Sequence, residues 1–323
     1  MMKIQQQLRA VLLILVFVTG FASIGEPTLA QPQTMSGPSS PGKPGKPVTI
    51  PLNIRLKDVR PEPELQNIDL TISEDGEPQT IISTRALATN SPITLALLIQ
   101  EDLVQSVGLE VKALAEFIRR LPRGSRVMIG YIRTGSLQVK QKFTIDLEKA
   151  AKVLRPPVGL ASAAPYNPYV EVIEAIKRFE SQPAGRRAIL LVSDGLDISR
   201  GVDSSAPTQS VDLQRAINEA QRRSIAVYGF YAPSIAAEGN PILTGNAQSS
   251  LLRLSSETGG HAFFQGTGAP VSFDPFIREL DMTLEKQVAL TFLSTHLGKG
   301  FHRIEVRSST PGVKVAYPSG YKR

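Results

Sequence analysis

The chain has 323 residues, 41% of them hydrophobic, and a formal net charge of +7, so it is long enough for one large or two ordinary folded domains. It contains no cysteine, which excludes disulfides, thiol nucleophiles and cysteine-ligated metals. Its basic residues are spread along the sequence and are not interleaved with aromatic residues, a pattern that argues against nucleic-acid binding.

Residues 1–30 have the composition of a secretory signal. Lys3 and Arg9 precede an apolar stretch of about 15 residues, shorter than the roughly 20 that a membrane-spanning helix needs, and small residues follow up to Ala30. We therefore predict a signal peptide and a secreted or periplasmic protein of the cell envelope, with no stable membrane span once the signal is removed. An uncleaved signal that serves as a membrane anchor is the alternative.

The next two segments differ sharply in composition. Residues 31–47 (QPQTMSGPSSPGKPGKP) are rich in Pro, Gly and Ser, which predicts a flexible linker. Residues 48–90 contain the alternating runs VTIPLNIRL, IDLTIS and QTIIS, the last two separated by an Asp-Gly turn. This pattern predicts antiparallel strands that include a hairpin.

Residues 91–287 form the central part of the predicted fold. Apolar strands such as ITLALLI, RVMIGYI, RAILLVS and IAVYGFY alternate with amphipathic helices such as EVKALAEFIRRL and DLQRAINEAQRR. The alternation predicts an α/β domain with a doubly wound, mainly parallel sheet that helices cover on both faces. Residues 288–323 again read as antiparallel strands, and we expect them to pair with segment 48–90 in a small antiparallel β domain.

The predicted binding site lies where the first and fourth strands of the α/β domain end. In an open doubly wound sheet with strand order 3-2-1-4-5-6, ligands bind in the crevice between these two ends. The first strand leads into Gln100, Glu101 and Asp102, and the fourth leads into Asp194. We therefore expect these polar side chains, from distant parts of the chain, to line one crevice.

Several consecutive segments resemble those of von Willebrand factor type A domains. RAILLVSDGLD resembles the fourth strand of that family, AINEAQRRSIAVYGF the helix and strand that follow, and LLRLSSETGGHAFF the final helix and strand. The flanking segments DLTISEDGEPQTI and HRIEVRSSTPGVKVAYPSGY are similar to those of an exported bacterial (acidobacterial-type) subgroup related to this family. The resemblance implies a Rossmann-like α/β fold and a non-enzymatic, adhesion-type module that binds another protein in the envelope or outside the cell.

The resemblance also implies a metal-ion-dependent adhesion site, from which this sequence departs. The family binds Mg²⁺, an ion that prefers six oxygen ligands, through Asp-x-Ser-x-Ser after the first strand, a middle-loop Thr and an Asp after the fourth strand. With the first strand aligned, these five positions read Gln100, Asp102, Val104, Ala163 and Asp194. A register that starts at Asp102 would lengthen the strand by two polar residues, so we prefer the first alignment.

Two acids and one amide make a poor cage for Mg²⁺. We therefore predict no cofactor and expect Asp194 to be present because an Asp-Gly pair forms the turn after its strand. Weak Mg²⁺ binding by Asp102 and Asp194, in a metal-dependent adhesin or receptor for an acidic partner group, is the alternative.

The middle loop, GLASAAPYNPYVE, carries two tyrosines that we expect near the same crevice. Exposed tyrosine is enriched at protein interfaces, whereas a helix that begins at the proline would bury these rings in the core. Both interpretations stay open at this point. The predicted partner-binding residues are Gln100, Glu101, Asp102, Tyr166, Tyr169 and Asp194.

Enzymatic motifs find little support in the sequence. The three histidines, His261, His296 and His302, do not have the spacing of metal ligands. Ser193 lacks the first glycine of a nucleophile elbow, and there is no phosphate-binding loop. We therefore predict that the protein is not an enzyme, and a hydrolase with an unrecognised site is the less favoured alternative.

Overall fold

The computed structural model describes residues 45–56, 65–87, 91–183 and 185–323. The predicted signal peptide and most of the predicted linker, residues 31–44, lie outside these ranges and stay predictions. Within the described ranges, no helix is both long enough and apolar enough to cross a membrane.

The described residues form two sheets and six α-helices. In chain order the strands are β1 (Lys46–Leu56), β2 (Leu70–Glu74), β3 (Glu77–Ala86), β4 (Thr94–Gln100), β5 (Arg126–Arg133), β6 (Ser136–Thr144), β7 (Arg187–Ser193), β8 (Ile225–Tyr231), β9 (Ala262–Phe263), β10 (Gln287–Ser294), β11 (Phe301–Ser308), β12 (Val313–Ala316) and β13 (Gly320–Lys322). The helices are α1 (Val111–Arg120), α2 (Leu147–Lys152), α3 (Tyr169–Arg178), α4 (Val211–Arg222), α5 (Pro241–Glu257) and α6 (Asp274–Glu285).

The α/β domain contains a six-stranded sheet in the order β6-β5-β4-β7-β8-β9. All neighbours are parallel except β5 and β6, so the order is the predicted 3-2-1-4-5-6 with an antiparallel edge strand. The central strand β4 is buried along its whole length, because Leu95, Leu97 and Ile99 face α1, α2 and α6 while Ala96 and Leu98 face α3, α4 and α5. The predicted doubly wound architecture is confirmed.

Short polar side chains fix where three of these helices begin. Asp146 accepts a hydrogen bond from the Lys149 N–H (2.9 Å), and Ser210 accepts one from the Leu213 N–H (3.1 Å). Asn240 caps α5 in the same way, directly before a proline in the first turn. Such caps satisfy backbone N–H groups that have no partner inside the helix.

The β domain is a seven-stranded sheet in the order β12-β1-β10-β3-β2-β11-β13. β1 and β10 pair antiparallel from Lys46 opposite Ser294 to Asn53 opposite Gln287, and β2 pairs with β11. Apolar side chains that alternate along these strands form a separate core, which includes Leu52 and Phe292. The predicted pairing of the two flanks is confirmed, although β1 begins two residues before the predicted boundary.

Candidate functional site

A small cleft lies at the carboxyl ends of β4 and β7, the predicted position of the site. Its volume is about 130 Å³. We call it the strand-end cleft, and it is lined by Gln100, Asp102, Ala161, Ala164, Pro165, Tyr166, Asp194, Leu196, Ile198, Ser234 and Ala236.

Gln100 is the last residue of β4, in agreement with the preferred alignment. Its Oε1 accepts a hydrogen bond from the Ser193 hydroxyl (2.5 Å), and its Nε2 donates to Oδ1 of Asp102 (2.8 Å). The Ser193 hydroxyl in turn accepts from the Gly195 N–H (2.9 Å). The amide therefore presents hydrogen-bond donors to a carboxylate at a position where the family places a metal-binding carboxylate.

Asp102 and Asp194, the two acids of the cleft, are both buried, and each is only 3% exposed. Burial raises the pKa of Asp102. Burial also raises the pKa of Asp194 to about 6, with a further contribution from the negative charge of Asp102. Hydrogen bonds from the Leu196 N–H, Ser234 and Gln100 oppose this rise. The side chain of Gln100 thus partly compensates both carboxylates.

These residues do not fit the Mg²⁺ site that the family resemblance implies. Mg²⁺ needs near-octahedral oxygen ligands. Gln100 directs N–H groups at Asp102, Val104 belongs to the hydrophobic core on one face of the sheet, and Ala163 is fully buried without a side-chain oxygen. We therefore assign no step of the function to a metal in this cleft.

Glu101 is not among the residues that line the cleft, and its predicted contact with a partner stays a prediction. The Glu101 side chain is completely buried and forms a bidentate ion pair with the guanidinium of Arg155. This guanidinium also lies over the Tyr131 ring, 4.2 Å from its centroid. Glu101 also accepts from the Val158 N–H (2.9 Å). A buried carboxylate is stable only when it is paired, and here the pairing anchors the loop that leads to the cleft.

The two tyrosines of the middle loop have opposite environments. Tyr166 is 54% exposed at the edge of the cleft and has a positive φ of 58°. Tyr169 is fully buried at the start of α3, and its hydroxyl donates to the carbonyl of Gly195 (2.5 Å). The helix that follows Pro168 turns the Tyr169 ring into the core, and its predicted role in partner binding stays a prediction. Gly195 itself needs to be glycine, since its φ is +73° and an added Cβ would lie 2.6 Å from Leu251.

The accessible rim of the cleft is apolar. Gln100, Asp102 and Asp194 form its buried floor, so Tyr166 is the predicted binding residue with an exposed side chain. Next to lining residues in the sequence are two further exposed side chains, Leu160 (54%) and Ile235 (40%), which the sequence analysis missed. Ile235 could have been predicted from the sequence, because it follows β8 by four residues and β8 ends at the same edge of the sheet as β4 and β7.

Comparisons with known proteins found distant similarities in structure. No family model and no curated protein matches the sequence. An aerotolerance-related membrane protein from Bacteroides fragilis is similar in structure, with 12% identity and a TM-score of 0.42. The match covers 60% of this chain and 99% of the chain of that protein. BatB, a conserved hypothetical protein from Bacteroides thetaiotaomicron, has 14% identity and a TM-score of 0.44, with coverages of 60% and 98%.

A von Willebrand factor type A protein from Catenulispora acidiphila is also similar, with 10% identity, a TM-score of 0.40 and coverages of 79% and 74%. Because all three TM-scores are below 0.5, the fold assignment rests on the strand order observed in this chain. That order, with a cleft at the ends of its first and fourth strands, is the von Willebrand factor type A-like architecture that the sequence resemblance implied. Membership of the exported bacterial subgroup stays a prediction.

Proposed function

We propose that this chain is an exported, non-enzymatic interaction module that binds a partner protein of the cell envelope at the strand-end cleft without a metal ion. The observation that carries the proposal is the side chain of Gln100, which donates to Asp102 and accepts from Ser193. An amide that already joins these two groups replaces the charge of a cation with internal hydrogen bonds. The cleft is therefore organised before any ligand arrives.

The surroundings of the cleft support a protein as the partner. Tyr166 exposes an aromatic surface beside a buried polar floor, and Leu160 and Ile235 are exposed at positions next to lining residues in the sequence. Protein interfaces combine such aromatic and apolar contacts with a few polar groups that fix orientation. Tyr166 is held in place because its carbonyl accepts from the Ile198 N–H (2.8 Å).

The environment of Ser193 supports a non-enzymatic role. Its hydroxyl is fully buried and engaged with Gln100 and the Gly195 N–H. A nucleophilic serine needs an adjacent base such as histidine, and neither of these two groups can remove its proton. Ser193 therefore stabilises the cleft floor.

A comparison of rim variants tests the proposed surface. The mature chain is immobilised and exposed to envelope extract in the presence of a chelator. We expect it to retain a defined set of proteins, which the double variant Leu160→Ala/Tyr166→Ala loses. The control is Ile82→Ala, which truncates a side chain of similar exposure (53%) in the β domain and should retain the same proteins.

Two outcomes would contradict the proposal. Retention that is unchanged in the double variant would place the binding surface elsewhere. Retention that requires added Mg²⁺ would favour the metal-dependent adhesin, whose support is the presence of Asp102 and Asp194 in one cleft.

Export is tested separately. Cleavage after Ala30 should give a mature protein that begins at Gln31. N-terminal sequencing of protein isolated from the native envelope checks this, and a chain that still begins at Met1 would support the membrane-anchor alternative.

A further inference from the structure

The β domain contains a second group of acids, together with imidazoles, that no sequence motif indicates. Glu74 and Asp75 lie at the turn between β2 and β3, and His296 lies in the loop after β10. The antiparallel pairing of β2 with β11 brings the turn next to the later strands, so that Glu74 accepts a hydrogen bond from Ser294, 220 positions away. We call Glu74, Asp75 and His296 the β-domain cluster.

Glu74 is the buried centre of the β-domain cluster. Its side chain is completely inaccessible, and its Oε1 accepts hydrogen bonds from the hydroxyls of Tyr321 (2.6 Å) and Ser294 (3.0 Å). Its other oxygen, Oε2, is buried without a hydrogen-bond partner in the described part of the chain. A buried carboxylate oxygen that accepts no hydrogen bond is unfavourable unless a positive charge lies beside it, which points to a cation at this oxygen.

His296 faces that oxygen. Its Nδ1 is 3.3 Å from Oε2 of Glu74 and is itself buried without a hydrogen-bond partner among the described residues. One ligand atom from each of Glu74, Asp75 and His296 lies within 4.8 Å of the others. Two ligand atoms that each lie about 2.1 Å from a tetrahedral zinc ion are about 3.4 Å apart. The 3.3 Å between Nδ1 of His296 and Oε2 of Glu74 is close to this value.

Asp75 is held in position by hydrogen bonds from His302 and from the backbone of Arg303. The His302 ring lies between two acceptors, with Nδ1 2.8 Å from Oδ2 of Asp75 and Nε2 3.0 Å from the Gly298 carbonyl. Oδ1 of Asp75 accepts from the Arg303 N–H (2.8 Å). A carboxylate retains free lone pairs after two such bonds, and outer hydrogen bonds of this kind orient the ligands of metal sites.

We infer that Glu74, Asp75 and His296 form a site for a divalent transition-metal ion, with Zn²⁺ as the probe. One imidazole nitrogen and two carboxylate oxygens match the preferences of Zn²⁺, whereas Mg²⁺ and Ca²⁺ prefer oxygen alone. The bound ion joins the β2–β3 turn to the loop before β11, so its role is to stabilise the β domain. The inference is independent of the function proposed for the strand-end cleft.

Zinc titration of the full chain tests this inference. The protein is produced with a histidine-free tag, treated with a chelator, dialysed and titrated with Zn²⁺ by calorimetry. Because the chain contains no cysteine, thiolate sites do not contribute to the signal. We expect one saturable site per chain, with affinity reduced at least about tenfold in His296→Gln.

The matched control is His261→Gln. His261 is a histidine of similar side-chain exposure (30%, against 25% for His296) that lies in the α/β domain outside the β-domain cluster. This variant should bind Zn²⁺ like the wild type. Zn²⁺ should also raise the melting temperature of the wild type and of His261→Gln but not that of His296→Gln, which separates lost binding from failure to fold.

Several results would overturn the inference. These are an absence of saturable Zn²⁺ binding to the wild type, unchanged affinity in His296→Gln, or equal loss of affinity in His261→Gln. An Asp194→Ala variant should retain the zinc site, because Asp194 belongs to the strand-end cleft. Loss of zinc binding in that variant would likewise contradict the assignment.

Discussion

Two groups of acids in this chain, one buried in the strand-end cleft and one centred on the buried Glu74, have different internal partners. In the strand-end cleft, the Nε2 of Gln100 donates to Asp102, and the neighbouring Asp194 accepts from a backbone N–H. In the β-domain cluster, Oε2 of Glu74 faces Nδ1 of His296, and neither atom has a hydrogen-bond partner in the described chain. The comparison shows that the number of acids does not by itself define a cation site. What separates the two groups is one oxygen, Oε2 of Glu74, which is buried and accepts no hydrogen bond within the described chain.

The largest expected effect comes from removing the N-terminal strands of the β domain, together with Glu74 and Asp75. Deletion of residues 1–90 removes β1, β2 and β3, the partners of β10 and β11. Open sheet edges recruit other chains, so the remaining fragment 91–323 should aggregate. Sedimentation velocity measures this, with deletion of residues 1–30 as the control. A monomeric fragment that melts like the chain without residues 1–30 would show that the strands from β10 onward do not need β1, β2 and β3 to stay folded.

Loss of the donor in the strand-end cleft should be the next largest effect. Gln100→Leu leaves Asp102 and Ser193 without their buried partner and should cost about 2 to 4 kcal/mol in the free energy of unfolding at pH 8. The cost should shrink below the pKa of Asp194, about 6, because protonated acids need less compensation. Urea unfolding at several pH values measures both effects.

The control for this variant is Gln105→Leu, at an exposed position five residues further along. It should change stability by no more than about 0.5 kcal/mol. A similar loss in both variants, or a loss in Gln100→Leu that does not depend on pH, would mean that the amide does not compensate the acids.

Glu171 is a third buried acid, in the α/β domain, and its Oε2 also has no hydrogen-bond partner in the described chain. Burial raises its pKa from 4.5 to about 7, and the charges of Glu174 and Asp212 contribute. Between these values the folded state holds a proton that the unfolded chain has released, so this group lowers stability as the pH rises from 4.5 to about 7.

Glu171→Gln should therefore flatten the stability profile between pH 4.5 and 7 and stabilise the protein at pH 8 by roughly 2 to 3 kcal/mol. The control is Glu174→Gln on the same helix, where the side chain is 41% exposed and paired with Arg178. Chemical unfolding across this pH range is the measurement. Equal profiles for Glu171→Gln and the wild type would contradict a neutral, buried Glu171.

The smallest expected effect is the response of the wild type to Mg²⁺. Millimolar Mg²⁺ against a chelator should leave its melting temperature unchanged, since the strand-end cleft does not fit the ion. The variant with Gln100→Asp, Asp102→Ser, Val104→Ser and Ala163→Thr should gain a Mg²⁺-dependent shift, up to about 2.7 kcal/mol at 100 times the dissociation constant. That shift should disappear when Asp194→Ala is added. A Mg²⁺ shift in the wild type that Asp194→Ala abolishes would support the metal-dependent alternative.

The sequence was sufficient for the features that depend on one-dimensional patterns. β4 and β7 are continuous apolar runs because both faces of the parallel sheet are covered, so their bounds and their order could be predicted. The position of Gln100 at the end of β4 followed from the same run. The strands of the two flanks could also be predicted, because apolar and polar residues alternate where an antiparallel sheet buries one face.

Features that depend on contacts between distant residues could not be predicted. Glu101 looked like part of a binding surface because its partner, Arg155, lies 54 positions away. Tyr166 and Tyr169 are three residues apart, and the left-handed backbone at Tyr166 together with the start of α3 at Tyr169 decides which ring is exposed. The β-domain cluster depends on a strand register that no local pattern encodes.

The pairing of Lys46 with Ser294 has a consequence for the order of folding. The α/β domain uses the continuous segment between β4 and α6, whereas the β domain must close a loop that contains all of it. Loop closure and high contact order slow folding, so the β domain should complete last. Until residues beyond 287 are available, β1 has no β10 to pair with. The seven-stranded sheet of such a chain can therefore form only after β10 has been synthesised, whereas the strands of the α/β domain are all available before that point.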